Sequence, residues 1–135
     1  MITLPQETKD QLRTLGVLAL YLFGSRAQGV AGPGSDYDFG VLMQHGGSRR
    51  GDALYDALYD LLGPLCPRTL ENDVIDIVFL NDAPLELRMH VVRYGIILCE
   101  SDSLQRGRFE QETMLAYADF KPILDMMDSA ILAKL

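Results

Sequence analysis

The stretch Leu22-Phe23-Gly24-Ser25-Arg26, resumed by Ser35-Asp36-Tyr37-Asp38-Phe39-Gly40-Val41, decides how this chain is read. It reads as an apolar strand, a tight Gly-Ser turn, a glycine-rich loop and a second strand that opens on two acids. As a pattern it is Gly-Ser, ten residues, Asp, one residue, Asp. Gly24 has no Cβ, so a phosphate can approach its backbone closely. Ser25 offers a hydroxyl and an N–H, and a short helix is expected through Arg26, Ala27 and Gln28. The first turn of a helix presents unpaired N–H groups to an anion. Asp36 and Asp38, two apart on a strand, share one face about 6–7 Å apart. Such oxygen donors suit hard cations such as Mg2+. Two metals roughly 3.5–4 Å apart can clamp the attacking and leaving oxygens of a phosphoryl centre. Either half alone reads more simply as a polar turn. The two halves together, each with its apolar strand, favour the chemical reading.

Working outward, residues 5–15 read as a short helix with Pro5 in its first turn, Leu12 and Leu15 on its apolar edge, and Gly16 as its stop. Residues 17–23 are seven apolar residues in a row, which predicts a strand buried on both faces and central in a sheet. Residues 30–34 form a flexible loop between the turn and the acids. Arg26 leads into it, with two readings of equal weight: a phosphate contact or an ion pair with a neighbouring acid. A second strand covers residues 37–43. His45, Arg49 and Arg50 fall in a polar loop and read as solvated surface.

Further along, Asp52 is placed to cap a helix that runs to Leu62 and buries Leu54, Leu58, Leu61 and Leu62. Asp52, Asp56 and Asp60 line a solvated face of it. Gly63-Pro64 breaks that helix, and Pro67 keeps the next segment irregular. Residues 73–80 read as a third strand, in which Asp76 interrupts Val74, Ile75, Ile77, Val78 and Phe79. A lone carboxylate buried among such residues is costly without a partner, and a metal or a substrate hydroxyl would supply one. The plainer alternative is an edge-strand acid facing water. Asn81 to Pro84 would open the next helix with a cap, Leu85, Met89 and Val92 would face the core, and Gly95 would end it. His90 on this helix reads as packing or surface. Residues 96–99 read as a short buried strand. Ser101-Asp102-Ser103 would cap a long terminal helix that Pro122 breaks or kinks. In that helix Leu124, Met127, Ile131 and Leu135 recur at helical spacing, a stripe read first as core and second as a contact surface.

The Gly24-Ser25 turn with Asp36 and Asp38 resembles the nucleotidyltransferase superfamily related to DNA polymerase β. It looks most like the minimal nucleotidyltransferases (MNT), the antitoxin partners of HEPN–MNT toxin–antitoxin pairs. The resemblance covers residues 15–100 well and the terminal stretch more loosely. It implies an α/β (α+β) polymerase β-like fold: a small mixed sheet of about four strands flanked by helices, with a C-terminal helical segment. The chain would be a single domain over 1–135, with a catalytic core at 15–100 and helical residues at 101–135.

The resemblance also implies a third acid, for which Asp76 is the candidate. Asp36, Asp38 and Asp76 would then be catalytic and metal-binding. Gly24, Ser25 and Arg26 would bind nucleotide phosphates. Two Mg2+ ions and ATP are the implied cofactor and substrate. The implied reaction transfers AMP to a tyrosine of a cognate HEPN ribonuclease and silences it. The chain lacks the Arg-x(4–6)-His pattern of the HEPN half. Two alternatives stand: a small-molecule transferase of aminoglycoside type, and an antitoxin that acts by binding alone.

Composition narrows the partners. The net charge is −7, with 12 Lys and Arg against 19 acids. This argues against a long nucleic acid as substrate and leaves a small substrate or a protein partner. No apolar run approaches the roughly 20 residues that span a bilayer. The N-terminal residues lack the pattern of a signal peptide, so the expected location is cytoplasmic. Cys66 and Cys99 form no metal-ligand spacing and read as reduced apolar fillers. A homo-oligomer is compatible with all of this.

Overall fold

The structure, a computed structural model, describes residues 2–29, 36–44, 52–66 and 75–134. The loop 30–34, His45, Arg49, Arg50, Pro67, Asp73, Val74 and Leu135 lie outside these, as does the side chain of Asp52.

Helix α1 (Gln6–Thr14) starts after Pro5 and ends at Gly16, which turns the chain with φ +89°. Strand β1 (Val17–Phe23) follows, with every side chain buried. It leads through Gly24 into the single turn α2 (Ser25–Gln28). Strand β2 (Tyr37–Met43) comes next, followed by α3 (Asp52–Leu62), which runs on into a short 3-10 turn, Gly63–Leu65. Strand β3 (Ile75–Phe79), helix α4 (Leu85–Tyr94), strand β4 (Ile96–Glu100) and the long helix α5 (Ser103–Ala133) complete the chain. The sheet order is β3-β2-β1-β4. Strand β1 is antiparallel to both neighbours, whereas β2 and β3 run parallel. The result is the mixed four-stranded sheet with flanking helices and a terminal helix that the sequence led us to expect, with β1 inside it.

Strand alternation sends side chains to two separate cores. On one side Leu12 of α1 and Leu58 and Leu62 of α3 meet Leu20, Leu22, Phe39, Val41, Ile75 and Ile77. On the other side Tyr21, Phe23, Leu42 and Leu80 meet Val91 and Leu87 of α4 and Phe109 of α5. Cys66 is buried and Cys99 half-buried, both as thiols. Among the described residues no helix is long and apolar enough to cross a membrane.

Several local expectations are corrected. Helix α4 buries Val91, with Leu87 packed beside it, rather than Leu85, Met89 and Val92. Asn81 does not cap this helix; its side-chain amide accepts from the Met43 N–H at 2.9 Å and donates to the Met43 carbonyl at 3.1 Å. A side chain engaged with a strand end cannot also cap a helix. Gly95 does end α4, for a steric reason: a Cβ there would lie 2.4 Å from the Val91 carbonyl oxygen. Strand β4 is an edge strand and only partly buried, because among the described residues no further strand covers it.

Helix α5 is capped as expected, with the Asp102 carboxylate accepting from the N–H groups of Leu104 and Gln105. It then runs through Pro122 without a break. The carbonyl that a proline leaves unpaired, that of Ala118, stands on an exposed stretch where water can satisfy it. The first half of α5 is anchored: the Tyr21 hydroxyl donates to Glu110 at 3.1 Å, and Arg106 pairs with Glu100 and Glu110. The second half is not covered. Of the apolar stripe, Met127 and Ile131 are exposed and Leu124 is half-buried, and Phe120 and Ile123 beside it are exposed too, so the stripe is not core in this chain.

Candidate active site

The C-terminal end of β1 and the N-terminal ends of β2 and β3 meet at one edge of the sheet, because β1 is antiparallel to β2 and β2 is parallel to β3. Phe23, the last residue of β1, lies opposite Asp38. Asp38 in turn lies in register with Asp76. Residues paired in this way project to the same face, here the one covered by α4. The register therefore places the acids of two strands, Asp38 and Asp76, side by side just beyond the Gly24-Ser25 turn.

Gly24 adopts φ +74°, ψ −159°, a conformation essentially reserved for glycine. Its carbonyl accepts from the N–H groups of Ala27 and Gln28, both at 3.2 Å, which closes the single turn of α2. A Cβ on Gly24 would lie 2.3 Å from Oδ2 of Asp38. The glycine thus does two things: it allows the turn, and it makes room for the carboxylate against the backbone.

The carboxyl of Asp38 is held above the usual carboxylate range, first by desolvation, then by the charges of Asp76 and Asp36, against a smaller opposing effect of His90. Asp36 is exposed at the entry to β2. Asp76 is exposed too, on the edge strand β3. This corrects the argument from burial made for Asp76 above: the acid that loses water is Asp38, and the case for Asp76 rests on register instead. Arg26 lies with its guanidinium 4.2 Å from the centroid of the Tyr37 ring, a contact that neither sequence reading named. Tyr37 points into the core on the α1 and α3 side.

His90, read from the sequence as packing or surface, does pack, and it packs beside the site. It sits on α4, edge-on to the Phe23 ring at 6.3 Å between centroids. An isolated histidine on a helix carries no sequence signal of this; the signal needs the packing of α4 on β1. A cleft lined by Glu7, Asp10, Leu15, Ala57 and Leu61 among others lies between α1 and α3, across the sheet from Asp38 and Asp76.

Mutually repelling carboxylates with a desolvated member are stabilised by a divalent cation, and hard oxygen donors are what Mg2+ takes. Among the described residues no three ligand side chains converge closely enough to enclose an ion by themselves. Mg2+ keeps several waters and takes substrate phosphates as ligands, so protein carboxylates need not enclose it. The donor set therefore fits a metal that arrives with a phosphorylated substrate.

Comparison with known proteins gives a consistent result. The family model described as "Polymerase beta, Nucleotidyltransferase" matches residues 6–104. The chain is 33% identical over 110 residues to the protein adenylyltransferase MntA of Aphanizomenon flos-aquae, covering 77% of this chain and 71% of that one. Among solved structures, a chain of a toxin–antitoxin complex with AMP-PNP superposes with a TM-score of 0.66 at 24% identity, covering 92% of this chain and 98% of that chain. A chain from the complex of a tri-AMPylated Shewanella oneidensis HEPN toxin with its MNT antitoxin gives 0.57 at 21% identity, covering 90% and 97%. At these identities the structural matches establish the fold.

Proposed function

Because the chain belongs to the polymerase β nucleotidyltransferase family, we propose that it transfers AMP from ATP to a tyrosine hydroxyl of a cognate HEPN toxin, in the cytoplasm, and so silences that toxin. One observation carries the chemistry: the register that sets Asp38 beside Asp76, with Gly24 directly against the Asp38 carboxylate. The acceptor is supported by the MntA relative, named a protein adenylyltransferase, and by the AMPylated toxin in a structure of the same fold.

In this reading the backbone of Gly24 and Ser25 receives the triphosphate, with Arg26 at the edge of the turn. Asp36, Asp38 and Asp76 would hold Mg2+, which supplies Lewis-acid neutralisation of phosphate charge. Asp76, exposed on the edge strand, would help hold the second metal and favour deprotonation of the acceptor hydroxyl. The deprotonated oxygen attacks the α-phosphorus in line, and pyrophosphate leaves. No covalent enzyme intermediate is required.

The test is label transfer from α-labelled ATP with Mg2+, using the chain and the product of the adjacent gene. Label on the second protein that disappears with EDTA and with Asp36→Asn supports the proposal. Pyrophosphate release without labelled protein would replace the acceptor with a small molecule. The exposed apolar half of α5 favours a second contribution, direct binding. An Asp36→Asn variant that still neutralises the toxin would make binding the dominant one.

A further inference from the structure

The site contains three acids but must receive a polyanion, so hydrogen-bond donors beyond the backbone turn are worth locating. Helix α4 lies over the face on which Asp38 and Asp76 project. His90 is half-buried on it, held edge-on by Phe23 at 6.3 Å and tilted against Tyr94 at 5.2 Å. Phe23 is the residue immediately before Gly24 and lies opposite Asp38. The imidazole therefore packs on the residue that joins the turn to the strand pairing of Asp38. Its ring is fixed by aromatic contacts, yet among the described residues its nitrogens make no hydrogen bond or ion pair.

We propose that His90 is a substrate-contacting residue of this site, its ring N–H donating to a phosphate oxygen of the nucleoside triphosphate. This rests on the nucleotidyltransferase reading and goes beyond it by naming a phosphate donor outside the Gly-Ser turn. The contact needs no particular protonation state, since neutral imidazole and imidazolium both carry an N–H. The influence of His90 on Asp38 agrees with the placement. Phe23 and Tyr94 act as the clamp that aims the ring, so its orientation is set before substrate arrives.

The experiment compares the full chain with His90→Phe, His90→Gln and His90→Ala. Calorimetry measures affinity for AMP-PNP with Mg2+, and label transfer gives KM and kcat. His90→Phe keeps the aromatic packing and removes the N–H. His90→Gln does the reverse. The expected result is affinity about tenfold weaker in His90→Phe and His90→Ala, as for loss of one hydrogen bond to a charged group. His90→Gln is expected to stay within about threefold of the wild-type chain, and the nucleotide KM should follow the same order. The opposite order, with Phe tolerated and Gln impaired, would show a packing role and overturn the inference. So would three variants that bind nucleotide like the wild-type chain, or a change confined to the KM of the acceptor. A wild-type chain that neither binds nucleotide nor transfers label would instead remove the transferase reading itself.

Discussion

Replacing Gly24 by alanine tests the site most directly, and the structure sets the size of the effect. The backbone at Gly24 (φ +74°, ψ −159°) costs a side-chain-bearing residue about 1–3 kcal/mol. The added Cβ would also sit 2.3 Å from Oδ2 and 3.2 Å from Cγ of Asp38. To restore ordinary contact, the carboxylate or the turn must move by about 1 Å, and a misplacement of that size costs on the order of 100-fold in rate. Gly29 provides the control. It too has positive φ, +73°, but a Cβ there meets nothing within 4 Å. Gly29→Ala should cost about 1 kcal/mol net, as left-handed strain is partly offset by a less flexible unfolded chain. That corresponds to a melting temperature lower by about 3–5 °C. Thermal melting and steady-state label transfer on both variants separate strain from displacement. Both should melt lower, and only Gly24→Ala should lose transfer. Equal losses of rate in the two variants, or an unchanged rate in Gly24→Ala, would refute the claim that the glycine makes room for Asp38.

Asp38→Asn should abolish transfer and yet melt higher than the wild-type chain at pH 7. The fold disfavours the charged carboxylate, so its cost is present at neutral pH and disappears as the acid protonates in both states, below about pH 4. The gain in melting temperature should therefore shrink toward acid pH, and a lower melting point at pH 7 would contradict it. Asn81→Ala removes both hydrogen bonds to the Met43 backbone and should cost about 2 kcal/mol in urea unfolding, with kcat nearly unchanged, because Met43 is at the far end of β2 from Asp38. Asp102→Ala removes the cap of α5 and should cost about 1 kcal/mol by the same measurement.

Much of this was legible before any coordinates. The seven-residue apolar run of β1 could only be a central strand, and it is buried along its whole length. The bounds of β2 and α3 follow from their bordering turns and apolar spacing. The Gly24 turn and the pair Asp36 and Asp38 are local patterns, and local patterns survive in sequence. What was not legible depends on packing between distant segments. The partial burial of Asp38 and the exposure of Asp76 depend on sheet order, in which β3 is an edge. The buried face of α4 is turned toward Val91 because its partner is Phe109 of α5 as well as the sheet. His90 acquires meaning only from Phe23. Periodicity in the second half of α5 marked an apolar stripe truly, but periodicity alone cannot tell a core from a surface, and this stripe is largely exposed.

The parallel pairing of β2 with β3 has a consequence for how the chain comes to be competent. Strands β1 and β2 are sequence neighbours and can zip as an antiparallel pair, whereas Asp38 meets Asp76 only after a long loop has closed and a helix has been packed beneath it. Loop-closure entropy must be overcome before such a contact gives any return, so high-contact-order pairings form late. On the ribosome, the turn at Gly24 and the first two acids emerge while Asp76 is still unsynthesised. A nascent fragment ending before residue 75 would carry the Gly24 turn with Asp36 and Asp38 but without Asp76. The side-by-side placement of Asp38 and Asp76 is thus a read-out of β3 having docked on β2.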